Sequence, residues 1–144
     1  MIKHKYTIKV FYKDVDQMGV VYYSRYFEYF EQARTEMLSS IGLNVTDIET
    51  EGIQLPVISS HCDYKKGAKF EDNLIIISSV NDHPKATLKI NYEVYNKNIN
   101  TLIALGYTVH AFLKKNGKPT KVPSKILLKL KKEKIALWEF SPSC

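Results

Sequence analysis

The sequence predicts an α+β architecture, with one antiparallel sheet of about five strands wrapped around one long central helix and a short helix towards the C-terminal end. Two observations carry this expectation. Between Tyr22 and Ile41, apolar residues recur at helical spacing. From Ile53 onwards, four segments of strand character follow one another, separated by turn signals and by no second long helical pattern. The predicted order is therefore β, α, then four consecutive β.

Strand one is expected over Tyr6 to Tyr12, where Tyr6, Ile8, Val10 and Tyr12 share a face and Thr7 and Lys9 lie opposite. The helix follows from about Tyr22 to Ile41. Its apolar positions Tyr23, Tyr26, Phe27, Phe30, Ala33, Met37, Leu38 and Ile41 are spaced by one, three and four, and Gly42 ends it. So many bulky residues on one helix require a surface that wraps it. Ile53 to Tyr64, Leu74 to Val80, Lys85 to Tyr95 and Thr101 to Leu113 supply the strands. The third of these shows the cleanest alternation, with Ala86, Leu88, Ile90, Tyr92 and Val94 on one face and Lys85, Thr87, Lys89, Asn91 and Glu93 on the other. Turn-forming runs at Asn81–Pro84 and Asn96–Asn100 predict short antiparallel hairpins. The last element is a basic helix, Ser124 to Ala136, whose lysines read as a solvated face.

Composition sets the bounds. A chain of 144 residues that is 44% hydrophobic, 12% aromatic and 25% charged reads as a single globular domain, 1–144, with no linker or repeat. No run of 18 apolar residues and no apolar leader core occurs, so the expectation is a soluble cytoplasmic protein. Cys62 and Cys144 are too few for a disulfide framework and lack metal-site spacing, so both read as free thiols. No metal is expected. The net charge of +6 is concentrated in the second half, and all basic residues except Arg25 and Arg34 are lysine. That bias suits solvated faces or a polyanionic small ligand better than bidentate recognition of nucleic acid, which is the unfavoured alternative.

The stretch FYKDVDQMGVVYYSRYFEYFEQARTEM, Phe11 to Met37, places Asp14 and Asp16 in a turn just before the helix, with Gly19 allowing a sharp bend. A helix start offers unpaired N–H donors that stabilise a carbonyl oxygen gaining charge, and a nearby carboxylate can attack the carbonyl or activate water. Spacing alone leaves the plainer reading open, in which both aspartates simply bind turn N–H groups. Glu31 and Arg34, three apart on the helix, read as an ion pair or surface contact. His61 and His110 read as satisfied core or interface residues within strands, and neither His4 nor His83 looks placed for chemistry.

That same stretch resembles the signature of the 4-hydroxybenzoyl-CoA thioesterase-like acyl-CoA thioesterases of the hotdog fold: an Asp-x-Asp turn, then Gly-hydrophobic-Val-Tyr, then a helix with Glu-x-Ala-Arg. The similarity continues more loosely through SHCDYKKGAKFEDNLIII, up to about Pro123. The resemblance implies an acyl-CoA thioester hydrolase without cofactor, coenzyme A being part of the substrate. It implies Asp16 as the catalytic carboxylate, nucleophile or general base, and Tyr23 as the position whose backbone N–H polarises the thioester oxygen. Many relatives carry histidine at that position, where this chain has tyrosine. Tyr12, Gly19, Val20, Val21 and Tyr22 would line the substrate, Tyr12 reading equally as a packed core aromatic, and Asp72 would be structural. It further implies a homodimer or homotetramer with sites between subunits, and lysines such as Lys65, Lys66 and Lys69, or those of the C-terminal half, near the coenzyme A phosphates. A hotdog acyl-thioester binding protein or hydratase/dehydratase is the alternative, weakened because dehydratases place a histidine near a helix carboxylate and this helix has none.

Overall fold

A computed structural model of the protein describes residues 2–132. Cys144 and the predicted helix end at Ala136 lie outside the described residues. The elements are β1 (Ile2–Lys9), a single 3-10 turn (Tyr12–Asp14), α1 (Arg25–Ser40), α2 (Val45–Thr50), β2 (Ile53–Gln54), β3 (Val57–Tyr64), β4 (Asn73–Val80), β5 (Thr87–Asn96), β6 (Thr101–Ala111), β7 (Leu113–Lys114) and α3 (Ser124–Lys132). Five strands form one antiparallel sheet in the order β1-β4-β5-β6-β3, and β2 pairs with β7 in a small second ladder. The expected sheet curled around one long helix is the structure found.

Several boundaries differ from expectation. The first strand runs Ile2–Lys9 and stops before Tyr12, because the Val10 N–H turns to the carbonyl of Asp72. The alternation that suggested a longer strand continues into a turn. Helix α1 begins at Arg25, since the Tyr22 N–H is held by the Asp14 carbonyl and Ser24 occupies the N-cap. At its other end Gly42 adopts φ +80°, with the Leu43 N–H on the Leu38 carbonyl and the Gly42 N–H on the Ser39 carbonyl, a Schellman closure with Leu38 and Leu43 both buried. The segment Ile53 to Tyr64 is two strands, divided at Leu55–Pro56. Pro56 has no N–H to donate to a ladder. The six-residue α2 was not expected.

Strand β5 alternates as predicted from Thr87 on, with Leu88, Ile90, Tyr92 and Val94 buried and Thr87 and Lys89 exposed, whereas Ala86, expected on the apolar face, lies before the strand and is exposed. Strand β4, flanked on both sides, is buried from Leu74 to Val80. Helix α1 presses Phe30, Ala33 and Met37 into the concave face. The Phe30 ring stacks on Tyr92 at 4.2 Å between centroids, and a Cβ at Gly106 would lie 2.6 Å from the His61 carbonyl oxygen and 2.7 Å from the Phe30 ring. Glycine in β6 is thus what lets the helix approach the sheet, and that approach fixes where the helix start projects.

Candidate active site

The connection from β1 to α1 is folded by its own hydrogen bonds. Asp14 is buried, its Oδ2 accepting the Phe11 N–H at 3.0 Å and its Oδ1 facing the Lys13 ammonium at 3.2 Å. Burial is the largest single influence on this carboxyl and works to raise its pKa. The Phe11 N–H, the Lys13 ammonium and the neighbouring Tyr29 hydroxyl together outweigh it, so the group titrates below its ordinary range. Burial, with the Asp14 charge next in weight, pushes the Tyr29 hydroxyl far up. The backbone carbonyl of Asp14 accepts the Tyr22 N–H at 2.9 Å, so this residue ties both ends of the loop.

Asp16 opens a turn closed by the Gly19 N–H on its carbonyl at 3.0 Å, with Gly19 at φ +80°, a left-handed conformation that favours glycine. Its N–H donates to the Val20 carbonyl at 2.9 Å. Its Oδ1 accepts the N–H of Met18 at 2.8 Å and, more loosely, of Val20 at 3.4 Å. Its Oδ2 meets no donor among the described residues. Asp14 and Asp16 both bind turn N–H groups, as the plainer reading of the sequence had it, yet they differ: one carboxylate is buried and fully used, the other is half-buried with one oxygen free.

Tyr23 lies two residues before the helix and is exposed. Its carbonyl accepts the Tyr64 hydroxyl at 2.9 Å and the Tyr26 N–H at 3.4 Å. Among the described residues the N–H groups of Tyr23 and Ser24 meet no acceptor, and the Ser24 hydroxyl makes no capping bond. Beside them the Tyr22 and Tyr23 rings lie 4.4 Å apart. The Tyr23 hydroxyl, first, and the Asp16 charge, with the least weight, raise the Tyr22 pKa.

The remaining predicted positions fall around this turn. Val20 pairs with Lys69 and the Val21 N–H donates to the Ala68 carbonyl at 2.8 Å, so the segment carrying Lys65, Lys66 and Lys69 lies against the Asp16 loop. The Val21 side chain is buried in the core. Tyr12 is 75% exposed and meets the ring of Phe70 edge-on at 5.5 Å. Asp72 holds the lysine segment through its Oδ2, which accepts the Lys69 N–H at 2.9 Å and the Asn96 amide at 3.1 Å. Tyr64 and Phe70 join the site without any signal of their own in the sequence: both are aromatic residues in a strand-and-loop stretch, and only the fold brings them to the helix start.

Elsewhere, His110 is buried and bonded on both ring nitrogens. His61 stacks on Tyr107 and bonds Asp63 at 3.1 Å. Glu31 and Arg34 form no ion pair among the described residues. Cys62 carries a free thiol that burial pushes up to about 11. Among the described residues no cluster of metal-ligating side chains occurs, and no helix is long and apolar enough to cross a membrane.

A five-stranded antiparallel sheet wrapped round a single long helix, with an acidic turn leading into that helix, defines a hotdog-fold protein. The sequence profile of the thioesterase-like superfamily matches residues 10–130. A protein of Aquifex aeolicus (strain VF5) bearing the provisional name esterase is 30% identical over 126 residues, which are 88% of this chain and 96% of that one. The acyl-CoA thioesterase YbgC of Haemophilus influenzae is 34% identical over 84 residues, 58% of this chain and 62% of its own. The crystal structure of a DHNA-CoA thioesterase from Staphylococcus aureus superposes with a TM-score of 0.84 at 25% identity, covering 94% of this chain and 95% of that one. The chain belongs to the thioesterase-like superfamily, and the enzyme class of its named relatives is the hydrolase class expected from the sequence.

Proposed function

We propose that the protein hydrolyses the thioester of an acyl-CoA to a free carboxylic acid and coenzyme A, with Asp16 as nucleophile or general base. The observation that carries the proposal is the asymmetry of Asp16: one carboxylate oxygen is fixed by backbone N–H groups, while among the described residues the other meets no donor and two N–H groups of the same loop at the helix start meet no acceptor. As general base, Asp16 takes a proton from water while the water oxygen bonds to the thioester carbon. The electron pair moves to the carbonyl oxygen, held by the N–H of Tyr23, and collapse expels the thiolate of coenzyme A. As nucleophile, Asp16 forms a mixed anhydride with loss of the thiolate, and water then opens the anhydride. Both routes yield the same products, and neither draws on a metal, so a chelator leaves the rate unchanged.

The lysine segment beside the Asp16 loop supports a coenzyme A thioester over a simple ester, since Lys65, Lys66 and Lys69 offer counter-charge to its phosphates. Strand β3 is the sheet edge nearest these residues. Its side chains are largely exposed, including Val57, Ile58 and Tyr64, which fits pairing with a second copy into a homodimer or a larger homo-oligomer.

Thiol release across a panel of acyl-CoA substrates, with a blank for Cys62 and Cys144, tests the reading. Turnover of at least one substrate by the wild type and a loss of roughly 100-fold or more in Asp16→Asn, with the fold intact, is the expected result. An Asp16→Asn variant as active as wild type refutes the assigned role.

A further inference from the structure

Arg34 stands about 15 Å along α1 from Ser24, at 1.5 Å rise per residue, and there a second site takes shape. Below it a cavity of about 440 Å³ opens between α1, α2, the connection through Leu55 and Pro56, and strands β5 and β6. That volume lies in the lower part of the range of small-molecule pockets, about 300–1,000 Å³. Leu38, Leu55, Leu88 and Ile90 give it apolar walls, and Arg34 and His110 form its polar end.

The polar end is held in one orientation by a directed chain. The Leu55 carbonyl can only accept, so the His110 Nδ1–H at 3.1 Å donates to it. Burial, first, lowers the His110 pKa, the Leu55 carbonyl raises it and the Arg34 charge lowers it. With Nδ1–H donating to Leu55, the Nε2 of the neutral ring accepts from the Thr108 hydroxyl at 2.9 Å. Thr108 therefore accepts from the Tyr92 hydroxyl at 2.7 Å, and the nearby Arg34 works against the burial that raises the Tyr92 pKa. Arg34 borders the cavity beside this chain.

What the Arg34 fork lacks is an anion. Among the described residues no carboxylate pairs with Arg34, although Glu31 stands three residues earlier on the same helix. Glu31 and Glu49 both border the cavity but are exposed. A half-buried guanidinium over apolar walls is completed by a group that brings its own carboxylate and its own apolar body.

We propose that this cavity binds a small monocarboxylate with an apolar body, its oxygens on the Arg34 fork and its body against Leu38 and Ile90. The site is separate from the Asp16 turn, and its occupancy does not rest on the hydrolase reading. If that reading holds, the ligand class includes the acid that the reaction releases.

The test is ligand binding to the intact chain, followed by thermal shift and by NMR, with octanoate and benzoate as probes and octanol and benzyl alcohol as neutral controls. The acids are expected to bind saturably and the alcohols at least tenfold more weakly. Arg34→Gln is expected to weaken acid binding at least tenfold. Because Arg34 also stands near Tyr92 and His110, Val45→Phe gives a second variant: Val45 is exposed on α2 and borders the cavity, so a larger side chain there narrows it without replacing a member of the chain of hydrogen bonds. It too is expected to weaken binding, while Asp16→Asn leaves it unchanged. Alcohols that bind as well as acids, no saturable binding at about 10 mM acid, wild-type affinity in Val45→Phe, or a loss confined to Asp16→Asn would each overturn the proposal. The last would place the ligand at the Asp16 turn.

Discussion

Replacing Asp14 by alanine separates the two aspartates of the turn. The substitution removes the acceptor of the Phe11 N–H at 3.0 Å and the counter-charge of Lys13, and leaves the Tyr29 hydroxyl, itself buried, without its carboxylate neighbour. A hydrogen bond to a charged group contributes about 1.5–3 kcal/mol, while the freed N–H belongs to the exposed Phe11 and the Tyr29 hydroxyl has no hydrogen bond to lose. The Lys13 pair adds little, since Lys13 is largely exposed. The expected loss is therefore about 1.5–3 kcal/mol, which for a chain of this size lowers Tm by roughly 5–10 °C. Asp16→Asn should behave in the opposite way. An asparagine Oδ1 accepts from Met18 and Val20 as well as a carboxylate does, so Tm stays within about 1 °C while turnover falls. Urea unfolding and calorimetry, read beside thiol release on each variant, decide the matter. An Asp14→Ala protein of wild-type stability, or an Asp16→Asn protein destabilised as much as Asp14→Ala, would show that the roles derived from the hydrogen bonds are misassigned.

Three further outcomes follow from the same structure. Gly106→Ala puts a methyl group 2.6 Å from a backbone oxygen that cannot swing away and against the Phe30 ring, so a loss of about 3 kcal/mol in urea unfolding is expected; a loss under about 0.5 kcal/mol would mean the helix is not held as close to β6 as it stands. His110 and His4 are both lowered from 6.5, mainly by burial, so the unfolded chain binds more protons than the folded one just below that value. Their contribution is complete above pH 6.5 and is lost as pH falls from there towards the lowered folded values. The urea midpoint should drop between pH 8 and pH 5, less steeply in His110→Gln, and an equal slope in both proteins would exclude His110 as a cause. Tyr23→Ala should keep kcat within about fivefold of wild type, because the proposed contribution is the backbone N–H; a 100-fold fall would assign the work to the side chain.

The layer arrangement was legible because it depends on periodicity. Tyr26, Phe30, Ala33 and Met37 recur at the helical spacing, and Leu88 to Val94 alternate, whatever the chain does in between. Boundaries were less legible for a physical reason. Val10 and Tyr12 continue the apolar alternation of β1, yet what ends the strand is the Asp72 carbonyl, more than 60 residues away, taking the Val10 N–H. Tyr22 and Tyr23 lie in phase with the helix but are kept out of it by the Asp14 carbonyl. Helix α2 is too short to show a period. The acidic turn could be located from Asp14, Asp16 and Gly19, but which carboxylate is buried depends on Tyr29 in the helix, and the place of Arg34 near Tyr92, without a pair to Glu31, depends on the sheet beneath it. Contacts across layers carry no local signature.

On the proposed mechanism, the two N–H groups at the helix start give an exposed loop a way to discriminate a transition state from a substrate. Tyr23 and Ser24 are exposed, so in the free protein water satisfies their amides at little cost. A ground-state thioester oxygen, a weak acceptor, gains little by displacing that water. An oxygen carrying the charge of a tetrahedral intermediate gains much more from donors already in place, because the rest of the loop is fixed: Phe11 by Asp14, Tyr22 by the Asp14 carbonyl, Val21 by Ala68 and Asp16 by Val20. Only the difference between the two states accelerates the reaction. On this argument, loosening the loop lowers kcat more than it raises KM, and Asp14→Ala, which unties one end while leaving Asp16 and both N–H groups in the chain, should show a fall of up to about tenfold in kcat with KM nearly unchanged. A change confined to KM would mean that the N–H groups bind substrate and transition state alike.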